Sequence, residues 1–143
     1  LADGYDLSMG NDQGLTTLEP WPMWRQLLGD LEAGTPDRVI AGRFHGGLVR
    51  ALVRLIEHLA ALHGDGWAGR VALSGGVFQN ALLSSALRDE LEARGMTVLT
   101  HERVPANDGG LSLGQAAIAA ARAIHASTTG HASLPGTERQ PCA

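Results

Sequence analysis

Apolar residues recur at helical spacing from Pro20 to Ala33, where Trp21, Trp24, Leu27, Leu28 and Leu31 form a stripe and Gly34 supplies a stop before Thr35 and Pro36. The spacing predicts a short amphipathic helix. Between Asp37 and His63 the positions Ile40, Phe44, Leu48, Leu52, Ile56 and Leu59 advance by about one helical turn each, Leu55 and Leu62 widen the stripe, and Arg43, Arg50, Arg54 and Glu57 hold the opposite side. This pattern predicts a long helix packed on a core. Gly64, Asp65 and Gly66 break it. Val71 to Leu73 then form a short apolar run ending in Ser74, Gly75 and Gly76, which reads as a buried strand and a tight turn. Helical spacing returns from Asn80 to Arg94 through Leu83, Leu87 and Leu91, Gly95 caps it, and Thr97 to Thr100 makes a second strand. The result is a β-α-β unit, which normally gives parallel neighbouring strands. After a loop from Glu102 to Asp108, the alanine-rich run from Gly110 to His125 predicts a last helix with one face able to approach a neighbouring backbone.

Outside these elements, Leu1 to Thr16 mixes glycine, aspartate and asparagine without period and reads as an irregular segment, with no function assigned (1–16). From Ser127 onward serine, threonine, proline and glycine dominate, so residues 127–143 read as a disordered tail and 17–126 as the folded unit. The fold class expected is α/β in the order α-α-β-α-β-α. Two strands cannot make an independent parallel sheet, whose faces and edges must be covered. The chain therefore reads as part of an α/β lobe whose partner strands lie upstream of Leu1, and the lack of an initiator methionine fits the same expectation.

Composition narrows the chemistry. With 143 residues, 44% apolar and 18% charged, the chain is one globular domain or a piece of a larger protein. A net charge of −4 gives no general electrostatic drive toward nucleic acid or an anionic membrane, and neither is expected as a partner. Acids are concentrated early: Leu1 to Asp37 carries seven acids against one base, Arg25, which reads as a solvated face. All eleven basic residues are arginine, so a P-loop, a pyridoxal Schiff base and a kinase-type ATP clamp, which each need a lysine, are excluded within this chain. The single cysteine, Cys142, excludes an internal disulfide framework, and a reducing cytoplasmic setting is expected. No secretory n-region or h-region opens the sequence, and no uninterrupted apolar stretch reaches the ~18 residues of a membrane span.

Two glycine-rich turns carry the candidate chemistry. In V-A-L-S-G-G-V-F-Q-N, Val71 to Asn80, paired glycines follow a strand and precede a helix, so a ligand can approach the backbone near unpaired N–H groups, with Asn80 at the same mouth. The bland alternative is a sharp structural turn, and the dinucleotide fingerprint G-x-G-x-x-G is absent. In N-D-G-G, Asn107 to Gly110, Asp108 reads either as a helix cap or as a carboxylate presented to a cation or to nucleotide phosphates through one. Gly110 to Gly114 matches G-x-S-x-G, but a proline-containing loop precedes the serine and no acid-then-histidine order follows, so a packing face of Gly110, Gly114 and Ala117 is the better account. His58 and His63 lie roughly 140° apart around a helix and cannot chelate one ion. His45 reads as a satisfied residue at the core edge, and His101 starts the loop that leads to Asp108.

Taken together, A-G-R-F-H-G-G-L at Ala41 to Leu48, V-A-L-S-G-G-V-F-Q-N and V-P-A-N-D-G-G-L-S-L-G-Q-A at Val104 to Ala116 resemble the C-terminal end of the HypF-type carbamoyltransferases of NiFe-hydrogenase maturation. The resemblance runs from about Leu18 to Ala126 in order and spacing. It implies a partial actin-like ATPase lobe (ASKHA, Kae1-like), with Ser74, Gly75, Gly76, Asn80, Gly109 and Gly110 at the nucleotide and Asp108 reaching a divalent metal. It also implies ATP or carbamoyl-adenylate as the cofactor, made from ATP and carbamoyl phosphate, and transfer of the carbamoyl group to the C-terminal cysteine of a HypE-type acceptor protein. The acylphosphatase-like, zinc-finger and adenylate-forming domains and the first lobe with its H-x-x-x-H ligands are not in this chain. Upstream domains are therefore expected partners, the fragment alone is expected to be inactive, and no catalytic residue is assigned. Cys142 reads as incidental. Two other readings are a piece of the related Kae1/TsaD threonylcarbamoyl-adenosine transferases of tRNA, against which the −4 charge argues, and a non-catalytic nucleotide-binding or docking fragment.

Overall fold

The computed structural model describes residues 3–128. The elements are β1 (Ser8–Asp12), β2 (Leu15–Glu19), α1 (Trp21–Glu32), α2 (Asp37–His63), β3 (Arg70–Ala72), α3 (Ala81–Glu92), β4 (Thr97–Leu99) and α4 (Leu111–Thr128). Short 3-10 turns occupy Gly64–Gly66, Gly76–Gln79 and Asp108–Gly110. The architecture is mixed α/β, with a hairpin ahead of the six elements that periodicity predicts. Helix α4 runs past Ser127 to Thr128, so the expected tail does not begin at 127; the rest of it, with Cys142, lies outside the described residues.

The first correction concerns the segment expected to be irregular, which from Ser8 onward forms a hairpin. Strands β1 and β2 pair antiparallel from Ser8↔Glu19 to Asp12↔Leu15. Gln13 (φ 50°) and Gly14 (φ 88°) both occupy the left-handed region, as a two-residue turn matched to strand twist requires. Asn11 steadies the turn by accepting a hydrogen bond from the Gly14 amide at 3.1 Å. Upstream of the hairpin, Tyr5 and Leu7 are buried in a core with Met23, Ile40 and Ala51.

That upstream segment lies across α2 as a strap. The Tyr5 amide donates to the Arg43 carbonyl at 3.1 Å, and the contact is close enough that a Cβ on Gly47 would overlap the Tyr5 carbonyl oxygen. Arg50 donates to the Gly4 carbonyl at 2.5 Å and Arg54 to the Leu7 carbonyl at 2.8 Å. Arg43 donates to both oxygens of Asp30, at 2.8 and 2.6 Å, while the Tyr5 hydroxyl donates to Asp30 Oδ2 at 2.6 Å. The arginine side of α2 therefore holds chain, not only solvent. Asp30 is likewise a tertiary link within the acidic N-terminal stretch that composition reads as a solvated face. Hydrogen bonds from Arg43 and Tyr5 hold the Asp30 carboxyl below its ordinary range. Burial, reinforced by the neighbouring carboxylate, pushes the Tyr5 phenol up to about 12.

Helix α2 stands between two cores. Val49 and Val53 pack with Leu73, Leu83, Leu87 and Leu91 on one side, Ile40 and Ala51 belong to the Tyr5 core on the other, and Leu48 touches both. The expected stripe is displaced as a result: Phe44, Leu48, Leu52 and Ile56 are half-buried, Leu59 and Leu62 are exposed, and Val49, Ala51 and Val53 are the deeply buried positions. A helix covered on two sides does not show one clean apolar face. On α1 the correction is similar, since Met23 is buried and Leu27 half-buried, whereas Trp21, Trp24, Leu28 and Leu31 are exposed. Strands β3 and β4 pair parallel from Arg70↔Thr97 to Ala72↔Leu99, with α3 as the crossover helix burying Leu83, Leu87 and Leu91.

Candidate functional site

The first glycine-rich turn leaves the carboxyl end of β3 and the second closes the loop that follows β4, on the side of the parallel strands where ligands usually bind in α/β folds. Pairing continues one step past the strands, the Leu73 amide donating to the Leu99 carbonyl at 2.9 Å. The Gly75 amide then donates to the Ala106 carbonyl at 2.7 Å, which ties the first turn to the second. Gly75 has φ 108° and ψ 156°, a conformation essentially reserved for glycine. Gly76 differs: a Cβ there would meet only the Asn107 Cβ at 3.8 Å, ordinary contact distance. Neither glycine is crowded by a neighbouring side chain.

Asn80 caps α3, its Oδ1 accepting from the Leu83 amide at 3.1 Å. Its Nδ2 lies 2.9 Å from His45 Nε2, and His45 Nδ1 lies 2.8 Å from the Ala41 carbonyl. His45 is thus a satisfied, half-buried histidine, as its place at the stripe's edge suggests, and its partner is a candidate site residue. Ser74 Oγ lies 3.0 Å from His101 Nε2.

At the second turn the structure separates two roles that local sequence left open for one residue. Asn107, not Asp108, is the cap: its Oδ1 accepts from the Gly109 amide at 3.0 Å and its carbonyl accepts from the Gly110 amide at 3.0 Å. Asp108 opens the 3-10 turn with an exposed carboxylate that forms no hydrogen bond or ion pair among the described residues. An asparagine directly before D-G-G is the signal that would have found the cap. Gly110 has a packing reason, since a Cβ would come within 2.9 Å of the Pro105 carbonyl oxygen; Gly114 has nothing within 4 Å, which corrects the packing face expected for it.

Of the candidate site residues, Ser74 and Gly110 line a cleft of about 260 Å³ together with His101, Pro105, Asn107 and Leu111 among others, whereas Gly75, Gly76, Asp108 and Gly109 do not. Asn80 lies at the far end of the same turn but does not line the cleft. A larger hollow of about 510 Å³ between α2 and α3 shares no residue with either turn, and its Arg94 is paired with Glu57 at 2.9 Å and with Glu90 at 2.5 Å. No group of three His, Cys, Asp or Glu side chains gathers among the described residues, and Asp108 stands without another such carboxylate or imidazole to complete a cation site there. Among the same residues no helix is long and apolar enough to cross a membrane.

Comparison with known proteins gives a consistent set of similarities. Residues 2–115 match the family model described as carbamoyltransferase, Kae1-like domain, second subdomain. The chain is 45% identical over 109 residues to the carbamoyltransferase HypF of Rhodobacter capsulatus, covering 73% of this chain and 13% of that protein. It is 37% identical over 123 residues to carbamoyltransferase HypF2 of Cupriavidus necator, covering 86% of this chain and 14% of that protein. A crystal structure of full-length HypF in a phosphate- and nucleotide-bound form superposes with a TM-score of 0.75 at 32% identity, over 82% of this chain and 15% of that one. The chain thus spans about one-seventh of the length of its relatives.

Proposed function

Since the chain belongs to the HypF carbamoyltransferase family, matching the second subdomain of its Kae1-like domain, we propose that it forms part of a nucleotide site in a complete carbamoyltransferase. The observation that supports this reading is the junction of the two glycine turns beyond the carboxyl ends of β3 and β4, held by the Gly75 to Ala106 hydrogen bond at 2.7 Å and flanked by the Asp108 carboxylate, which has no partner among the described residues. The lobe is of the actin-like ATPase type. ATP or carbamoyl-adenylate sits against Ser74, Gly75 and Gly76 on one side and Gly109 and Gly110 on the other, where the absence of side chains lets a ligand approach the backbone closely. Asn80 acts at the end of the first turn, where its amide holds the start of α3. Asp108 supplies one oxygen to a divalent cation, whose chemistry is to neutralise phosphate charge and polarise the bond that breaks. The carbamoyl group passes to the C-terminal cysteine of a HypE-type acceptor, in the cytoplasm. Upstream domains supply the remaining metal ligands and make the adenylate, so this segment alone is inactive.

Asp108→Asn in the complete enzyme tests the site. Asparagine keeps the shape and removes the charge, and the cap belongs to Asn107, so the melting temperature should stay within about 1–2 °C, the range expected for a surface substitution away from caps and core. Metal content by mass spectrometry and carbamoyl transfer to the acceptor should both fall at least tenfold. Normal values for both would remove Asp108 from the metal site.

A further inference from the structure

The first glycine turn ends on Asn80, and Asn80 is held from outside its own element by a histidine of α2. Two neighbours fix the chemistry of that contact. The Ala41 carbonyl can only accept, so the His45 nitrogen 2.8 Å from it, Nδ1, carries the proton. Nε2 is then the ring nitrogen that faces Asn80. The Asn80 amide is oriented independently: its oxygen accepts from the Leu83 amide at 3.1 Å, so the group facing His45 at 2.9 Å is the NH2. Donor meets acceptor with no freedom to exchange roles, because turning the amide over would cost α3 its cap. His45 is half-buried beside the edge of the Phe44 ring, with centroids 5.5 Å apart, which restricts its rotamer further. His101 at the other end of the turn bonds Ser74 through one ring nitrogen only, and the other has no partner among the described residues.

We propose that His45 is a positioning residue for nucleotide binding, acting through Asn80 to hold the end of the Gly75–Gly76 turn and the first turn of α3 in their binding geometry. The proposal rests on the nucleotide reading above and goes beyond it by assigning a role to an α2 residue outside both glycine turns. It predicts an order of dependence. With His45 removed, the Asn80 amide keeps its cap but loses its second anchor.

The test is calorimetric titration of ATP into the complete enzyme that carries this segment, comparing His45→Ala, Asn80→Ala, the double variant and His45→Gln. Loss of one hydrogen bond of ordinary strength gives His45→Ala a roughly three- to tenfold weaker ATP affinity. Asn80→Ala should weaken binding at least as much, and the double variant no more than Asn80→Ala alone, since His45 acts only through Asn80. His45→Gln, whose amide oxygen reaches about as far as Nε2, should return affinity to within about twofold of the wild type, a rescue that a role in packing alone would not give. If His45→Ala does not fold, His45→Met keeps the bulk without the acceptor and carries the same expectation. Wild-type affinity in a folded His45→Ala or His45→Met protein, or losses that multiply in the double variant, would overturn the proposal while leaving the nucleotide site standing. No ATP binding by the wild type would overturn both.

Discussion

Adjacent glycines in the first turn answer to different constraints, and substitution separates them. Gly75 sits at φ 108°, where an L side chain is strained by about 1–3 kcal/mol whatever space surrounds it. Gly75→Ala should therefore lower stability and ATP affinity together. Gly76 meets nothing closer than the Asn107 Cβ at 3.8 Å, so Gly76→Val should leave the melting temperature within about 2 °C, while on the proposed nucleotide reading ATP affinity drops by a factor of ten or more, because the branched side chain would occupy the space that reading gives the ligand. Equal effects of the two substitutions on stability and binding would mean that both glycines serve only the turn. Tyr5 offers a second residue-scale measurement, since it is the sole tyrosine of the chain. Its phenol is raised to about 12 by burial and by Asp30, so the unfolded chain loses the proton first as pH rises. Stability from the neutral phenol is complete below about pH 10 and is lost between there and about 12. Absorbance at 295 nm should titrate well above 10 in the folded chain, and with a midpoint closer to 10 in Asp30→Asn. The acid limb has the opposite sense: the contribution of Asp30, whose carboxyl is held low, stands above about pH 4 and is lost as pH falls through the depressed folded value.

At the scale of elements, the strap over α2 explains the Gly46–Gly47 pair in that helix. Gly47 gives the Tyr5 backbone room, and Gly47→Ala should push the strap off, exposing residues 3–7 to proteolysis and costing several kcal/mol if the Tyr5 core opens. Gly42, in the same helix, has nothing within 4 Å, so Gly42→Ala should instead stabilise by about 0.5–1 kcal/mol. Thermal melts and limited proteolysis of the pair read both effects; destabilisation by Gly42→Ala would show an unrecognised close approach. The strap and hairpin were the least legible elements. Gln13–Gly14 is a weak hairpin signal beside the usual Asn-Gly, and the strands carry Ser8, Asn11, Thr16 and Thr17, with little alternation of apolar residues. By contrast, α3 was legible from Leu83, Leu87 and Leu91 because it buries one face only.

For the whole molecule, two helices carry several of the exposed apolar groups among the described residues. Leu111, Leu113, Ile118 and Ile124 of α4 are each more than half exposed, as are Trp21, Leu28 and Leu31 of α1, and the β3–β4 sheet has two strands. Surfaces of this kind are covered in stable proteins. The chain expressed alone should self-associate, eluting well above the 15.0 kDa expected of a monomer and binding a hydrophobic dye. A dye-silent monomer with a sharp two-state melt would show that these faces are stable in water.

By itself the sequence determined the helices with one buried face, the β-α-β unit, the two glycine turns and, through the motifs quoted from Ala41 to Ala116, the family resemblance. Those features depend on neighbours in sequence or on residue types that few backbones accept. Only the tertiary structure decided that Asp30 locks to Arg43 across 13 positions, that His45 meets Asn80 across 35, and that the Gly75 amide ties the first turn to Ala106 beside the second. Contacts between distant residues leave no periodic trace along the chain, and a helix buried on two sides, such as α2, blurs the trace it does leave.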